Sequence, residues 1–170
     1  MDDKIEIKLL DYRDLEGEYD KIVSIEMMEA LGHEFVPVFV DKCASLLRVR
    51  GAMCFQCITY PDGDFDTYLR NNNYIKKHIF PGGELLSLAN LDKLIRDNEE
   101  LKITSTFNIG NDYARTLGLW RKNYLAKKEE IIALGFGEEF YRKWLYYFVY
   151  CEVGFETGYI DDYQVTIVKN

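Results

Sequence analysis

Two carboxylates close a short apolar run in Lys21-Ile22-Val23-Ser24-Ile25-Glu26-Met27-Met28-Glu29-Ala30-Leu31-Gly32. Such a run reads as a buried parallel strand whose C-terminal end delivers acids to a sheet edge. Open α/β sheets bind their ligands at that edge. Acids held there can move protons. They equally suit a following helix, whose N-terminal dipole favours negative charge; spacing alone leaves both readings open. Cys54-x-x-Cys57 has the outline of half a zinc site or a redox pair. On a strand, though, residues three apart face opposite sides, and no second cysteine pair completes a tetrahedron. The four cysteines, Cys43, Cys54, Cys57 and Cys151, are therefore read as free thiols in a reducing compartment. His33 and His78 are the only histidines, and neither stands in a triad-like or metal-like pattern. Both are expected at the surface, and no metal site is expected.

The elements that must position these groups follow from periodicity. Ile5 to Leu10 alternates at its start and reads as a strand. Asp14 to Tyr19 is a turn-rich link, and residues 21–26 form a second strand. His33 to Leu47 carries Phe35, Val38, Phe39, Cys43, Leu46 and Leu47 at helical spacing. Arg48-Val49-Arg50-Gly51 reads as the end of that helix, cations first and then glycine. Ala52 to Thr59 is the next strand, so residues 21–59 make a right-handed βαβ unit with parallel pairing. Downstream, Pro61-Asp62-Gly63-Asp64 is a turn, Asp66 to His78 a helix, and Pro81-Gly82-Gly83 a break. Ser87 caps a helix to about Asp97, and Leu101 to Phe107 is a strand. Tyr113 to Lys128 and Glu138 to Cys151 are helices, and Tyr163 to Val168 closes the sheet. No repeat, low-complexity tract or linker divides the chain, so residues 1–170 read as one domain.

Composition narrows the function classes. Of 170 residues, 48% are hydrophobic and 15% aromatic, which is globular rather than disordered. A net charge of −8 argues against a nucleic-acid partner, which needs a basic surface. It also opposes attraction of the whole molecule to anionic lipid, while leaving Lys76-Lys77-His78 as a local headgroup contact. No apolar run is long enough to span a bilayer, and no leader is visible. The expected location is the cytoplasm, with peripheral membrane contact as an option.

Several separated motifs carry a resemblance over nearly the whole chain, from Ile5 to Val168. They are Asp11-Tyr12-Arg13-Asp14-Leu15, the 21–32 run, Gly51 to Ile58, Tyr74 to Gly83, Asp112 to Leu117 with Trp120, and Trp144 to Phe155. Their order resembles the C-terminal half of the cyclopropane-fatty-acyl-phospholipid synthases, enzymes that use S-adenosylmethionine (SAM) to methylenate lipid double bonds. The resemblance implies a Rossmann-like class I SAM-dependent methyltransferase fold, α/β and truncated, with the first two strands and the glycine-rich turn absent. In the usual strand order, strand one lies beside the strand at Lys21 to Glu26. Its absence leaves an open apolar edge. Either Ile5 to Leu10 moves in to pair there, or the chain self-associates or takes up an N-terminal partner chain.

The same resemblance assigns roles. Asp11, Tyr12, Arg13 and Glu26 lie with the cofactor, Tyr12 offering a flat ring to adenine. Glu29, Gln56, the Ile58 backbone N–H and Tyr147 would hold a bicarbonate ion that acts as base. The substrate implied is the cis double bond of a phospholipid acyl chain, receiving a methylene or a methyl group. Gln56 stands where better-known members carry an imidazole; an amide can donate but cannot titrate. Asp112 to Leu117 and Trp120 are expected to be structural. The rival reading is a non-catalytic fragment, or half of a split enzyme.

Overall fold

The longest strand, β2 (Leu47–Thr59), organises the molecule. In the computed structural model, which describes residues 4–170, Met53, Phe55 and Cys57 of β2 are sealed on one face. Cys54, Gln56 and Ile58 take the other, as strand alternation requires. β1 (Tyr19–Ile25) pairs parallel with β2, and the crossover runs through α1 (Val36–Leu46). β4 (Asp161–Lys169) lies antiparallel on the other side of β2, and β3 (Leu101–Asn108) pairs antiparallel with β4. The sheet order is β1-β2-β4-β3.

One face of this sheet meets α1 and α4 (Leu88–Asp97) in a core that includes Phe39, Val40, Phe55, Leu91, Ile95 and Ile167. Sealing a side chain such as Phe55 stabilises the fold by roughly 1.5–3 kcal/mol. α4 starts where expected, because Ser87 Oγ accepts the Asn90 N–H at 3.1 Å. The other face carries α5 (Gly110–Ala126) and α7 (Glu138–Glu156), joined through the short α6 (Lys128–Ala133). The two long helices run antiparallel. Tyr113 meets Phe155, Arg121 pairs with Glu152 at 2.5 Å, and Tyr124 stacks on Tyr141.

Three sequence expectations change. Arg48-Val49-Arg50 does not end a helix; it belongs to β2 and forms a bulge. Tyr19 pairs with Leu47 but Lys21 with Ala52, so the intervening residues of β2 loop outward. Arg50 takes φ 64° there, and Arg48 reaches Asp20 at 3.1 Å. The helix expected over Asp66 to His78 is two helices, α2 (Phe65–Arg70) and α3 (Tyr74–His78). Asn73 breaks the run by capping α3, its side chain accepting the Lys76 N–H at 2.9 Å. Ile5 to Leu10 forms no strand. It pairs with no described strand, and Ile7 and Leu9 are exposed. Alternation yields a strand only where a neighbour accepts its backbone bonds.

Candidate active site

The C-terminal ends of β1 and β2 meet the start of β4, because β4 is antiparallel and places Asp162 opposite Ile58. Three carboxyls gather there. Glu26 follows β1 directly, its N–H bound to the Gln56 carbonyl at 2.9 Å. Its φ of 50° is unusual for a residue with a side chain. Glu29 sits in the 3₁₀ turn Met28–Ala30, and its Oε1 accepts the Ile58 N–H at 2.6 Å. Glu29 Oε2 is buried with no partner. Asp162 is fully buried, and its Oδ1 is likewise without a partner.

Gln56 clamps this group. Its Nε2 lies 2.8 Å from Glu26 Oε1 and 3.1 Å from Asp162 Oδ2, while its Oε1 accepts from Gln164 at 3.0 Å. Tyr113, in the first turn of α5, donates its hydroxyl to the same Glu26 oxygen. Burial raises the Glu29 pKa to about 7, against the lowering effect of the Ile58 N–H, and the Glu26 charge adds to the rise. Asp162 also rises to about 7, first through burial and then through Glu26 and Glu29. No cation contributes to either shift. Tyr147 lies on α7 against Phe80 and Trp144. Burial pushes its hydroxyl pKa up, and that hydroxyl interacts with the Cys151 thiol.

Glu29, Gln56 and Ile58 therefore share one place at the sheet edge, and Tyr147 approaches within electrostatic reach of Glu26. No hydrogen bond joins Tyr147 to Glu29 among the described residues. Glu26 stands with Gln56 rather than with the loop Asp11 to Asp14, where the resemblance had grouped it. In that loop Asp11 accepts from the Arg13 backbone and guanidinium, at 2.9 Å and 2.8 Å. Tyr12 meets Phe39 edge to face at 5.3 Å. Beside it a groove of about 490 Å³ runs along the outer side of β1, lined by Tyr12, Leu15, Ile22, Ser24, Met27 and Phe39 among others. Ser24 Oγ is buried without a partner. The Tyr12 ring beside this groove suits one face of a nucleoside, which fits part of a SAM molecule, while the stretch along Lys21 to Ile25 is the edge of β1 that no described strand pairs.

Bicarbonate fits less well. The Ile58 N–H is already given to Glu29, the Gln56 amide hydrogens face two carboxyls, and the Tyr147 hydroxyl faces Cys151. An anion would also join three acids with no countercharge. Asp162 is a site residue that the sequence did not single out, and Tyr113, expected to be structural with the rest of Asp112 to Leu117, reaches Glu26 with its hydroxyl. The signal for Asp162 was its place at the start of a closing strand, which reaches this edge only if that strand runs antiparallel. Among the described residues no group of His, Cys, Asp and Glu is arranged to hold a metal ion, and no helix is long and apolar enough to cross a membrane.

A family model for mycolic acid cyclopropane synthetase matches residues 1–165. The tuberculostearic acid methyltransferase UfaA1 of Mycobacterium tuberculosis is 37% identical over 166 residues, which is 98% of this chain and 39% of that protein. Cyclopropane mycolic acid synthase 1 of the same species is 33% identical over 159 residues, 88% of this chain and 55% of that one. The crystal structure of the mycolic acid cyclopropane synthase CmaA1 with SAH and CTAB aligns with a TM-score of 0.84 and 30% identity, covering 95% of this chain and 59% of that chain. The M. tuberculosis cyclopropane synthase MmaA2 aligns at 0.85 with 26% identity, over 98% and 63%. The chain thus spans between 39% and 63% of the length of these relatives.

Proposed function

The chain belongs to the mycolic acid cyclopropane synthetase family and has its class I SAM-dependent methyltransferase fold, and on that footing we propose that it forms the catalytic edge of a SAM-dependent methyltransferase acting on a lipid. The substrate is the cis double bond of a phospholipid acyl chain, met in the cytoplasm at the membrane surface. One observation carries the reading. A buried carboxyl, Glu29, is anchored on the Ile58 N–H at the sheet edge, in a chain matched by the family model over nearly its whole length.

Bound SAM supplies a methyl group activated by its sulfonium. Tyr12 would flank the nucleoside, and the Asp11–Arg13 pair stiffens the loop that carries Tyr12. Phe80, Trp144 and Tyr147 form an aromatic wall that keeps water from a cationic intermediate. Glu29, held on the Ile58 N–H at the same sheet edge as Gln56, is the group that would meet the departing proton.

The test uses the intact enzyme, unsaturated phospholipid vesicles and SAM with a trideuterated methyl. Lipid gaining one carbon with two deuteriums shows a methylene product, and with three a methyl product. Unlabelled lipid at all times would overturn the reading.

A further inference from the structure

We propose that Glu29 is itself the base of this protein: its Oε2 takes the proton lost from the alkylated lipid, and no exogenous anion is needed. The inference rests on the methyltransferase reading and deepens it.

Among the described residues, each donor that the resemblance assigns to an added anion is already engaged by a side chain of this protein. The Ile58 N–H binds Glu29 Oε1 at 2.6 Å, which fixes the carboxyl and leaves Oε2 as its unused, buried oxygen. Gln56 turns its amide hydrogens toward Glu26 and Asp162 and cannot also point them at a ligand. Gln164 and Tyr113 complete the clamp, so rotation of the Gln56 amide would cost several bonds together. Glu26 and Asp162 are positioning residues here. The Glu26 charge disfavours a second anion and strengthens the affinity of Glu29 for a proton. A carboxyl buried in this way is poised near neutrality, where a general base works best.

The step balances with groups already named. As the methyl carbon bonds to one alkene carbon, its bond to sulfur breaks and the other alkene carbon becomes cationic. A neighbouring C–H bond then gives its electron pair to close a ring or a double bond. Its proton goes to Glu29 Oε2, and the resulting acid returns it to water after product leaves.

The experiment compares turnover of the intact enzyme in buffer purged of carbon dioxide with turnover after bicarbonate is restored, and follows binding of ¹³C-bicarbonate by NMR. The expected result is equal turnover in both buffers and no saturable bicarbonate signal. Glu29→Gln should lose about a hundred- to ten-thousand-fold in turnover without rescue by bicarbonate. Glu29→Ala should regain part of its activity with formate, which replaces the missing carboxylate. Turnover that collapses on purging and returns with bicarbonate would overturn the inference while leaving the methyltransferase reading intact. So would saturable ¹³C-bicarbonate binding that Glu29→Gln abolishes, even in a preparation that transfers no methyl. Failure to label lipid would instead count against the methyltransferase reading.

Discussion

Glu29 and Asp162 make the site's protonation a matter of stability as well as chemistry. Both have folded-state pKa values raised to about 7, from ordinary values of 4.5 and 3.8. Below about pH 4 both are protonated, folded or unfolded, and their contribution is fully present. As pH rises, the unfolded chain ionises first while the folded chain keeps its protons, so stability falls until about pH 7. The groups facing them are Glu26, Cys57, Tyr113 with Gln56, and, near Glu26, Tyr147 with Cys151. Exposed Asp11 shifts the opposite way, to about 2 through its bonds to Arg13, so the variant must be compared with the parent. Asp162→Asn should keep a polar group of the same shape without the charge. We expect it to flatten the fall in melting temperature between about pH 4 and 7. It should gain about 1–3 kcal/mol over the parent at the upper end. Identical slopes for the two proteins would show that Asp162 does not titrate as described. Of these residues the sequence exposed Glu26 and Glu29, which end an apolar run, and resemblance added Gln56, Ile58 and Tyr147. It could not show that Gln56 faces carboxyls, because that depends on β4 and α5 arriving from more than fifty residues downstream.

β2 illustrates what local pattern does and does not reveal about an element. Its alternation from Ala52 to Thr59 is plain, and the structure follows it. The bulge at Arg48 to Arg50 is not plain, since two cations before a glycine also describe a helix C-terminus. What decides is pairing: β1 supplies partners on both sides of the bulge and Asp20 for Arg48. Gly51 is where the chain re-enters the ladder. A Cβ there would lie 2.7 Å from the Arg48 carbonyl oxygen and 2.8 Å from Leu47 Cδ1. The first contact is backbone and cannot swing away. Gly51→Ala should therefore cost about 1–3 kcal/mol, read from the midpoint of urea unfolding. Because the bulge aligns β1 with β2, it also sets where Glu26 meets Gln56. A variant as stable as the parent would mean that the bulge relaxes at no cost. The same contrast holds for α4 and residues 66–78. Ser87 announces α4 in sequence, whereas Asn73 divides two helices only because its side chain turns back onto the next turn.

At the scale of the whole molecule, β1 is the unfinished part. Its partner β2 lies on one side, and on the other no described strand follows. Val23 and Ile25 are 68% and 62% exposed, unusual for a parallel strand, which is ordinarily covered on both faces. Ile5, Ile7 and Leu9 are exposed nearby in sequence, and the pairing of that segment with β1, one of the two outcomes expected from the sequence, does not occur. The solved relatives are longer, this chain covering 59% of CmaA1 and 63% of MmaA2. We therefore expect β1 to accept a further strand, which a longer protein carrying the additional polypeptide of these relatives would supply. Taken alone, the 20.0 kDa chain should associate through that edge, since an open apolar strand recruits others. Sedimentation should show species above the monomer that grow with concentration. Val23→Lys with Ile25→Lys should return the chain to a monomer of unchanged circular dichroism, because lysines on an edge oppose pairing. In the longer protein, amide exchange across residues 21–25 should slow relative to the chain alone. A monomer at every concentration, with exchange along β1 no slower in the longer protein, would show that this edge is tolerated without a partner.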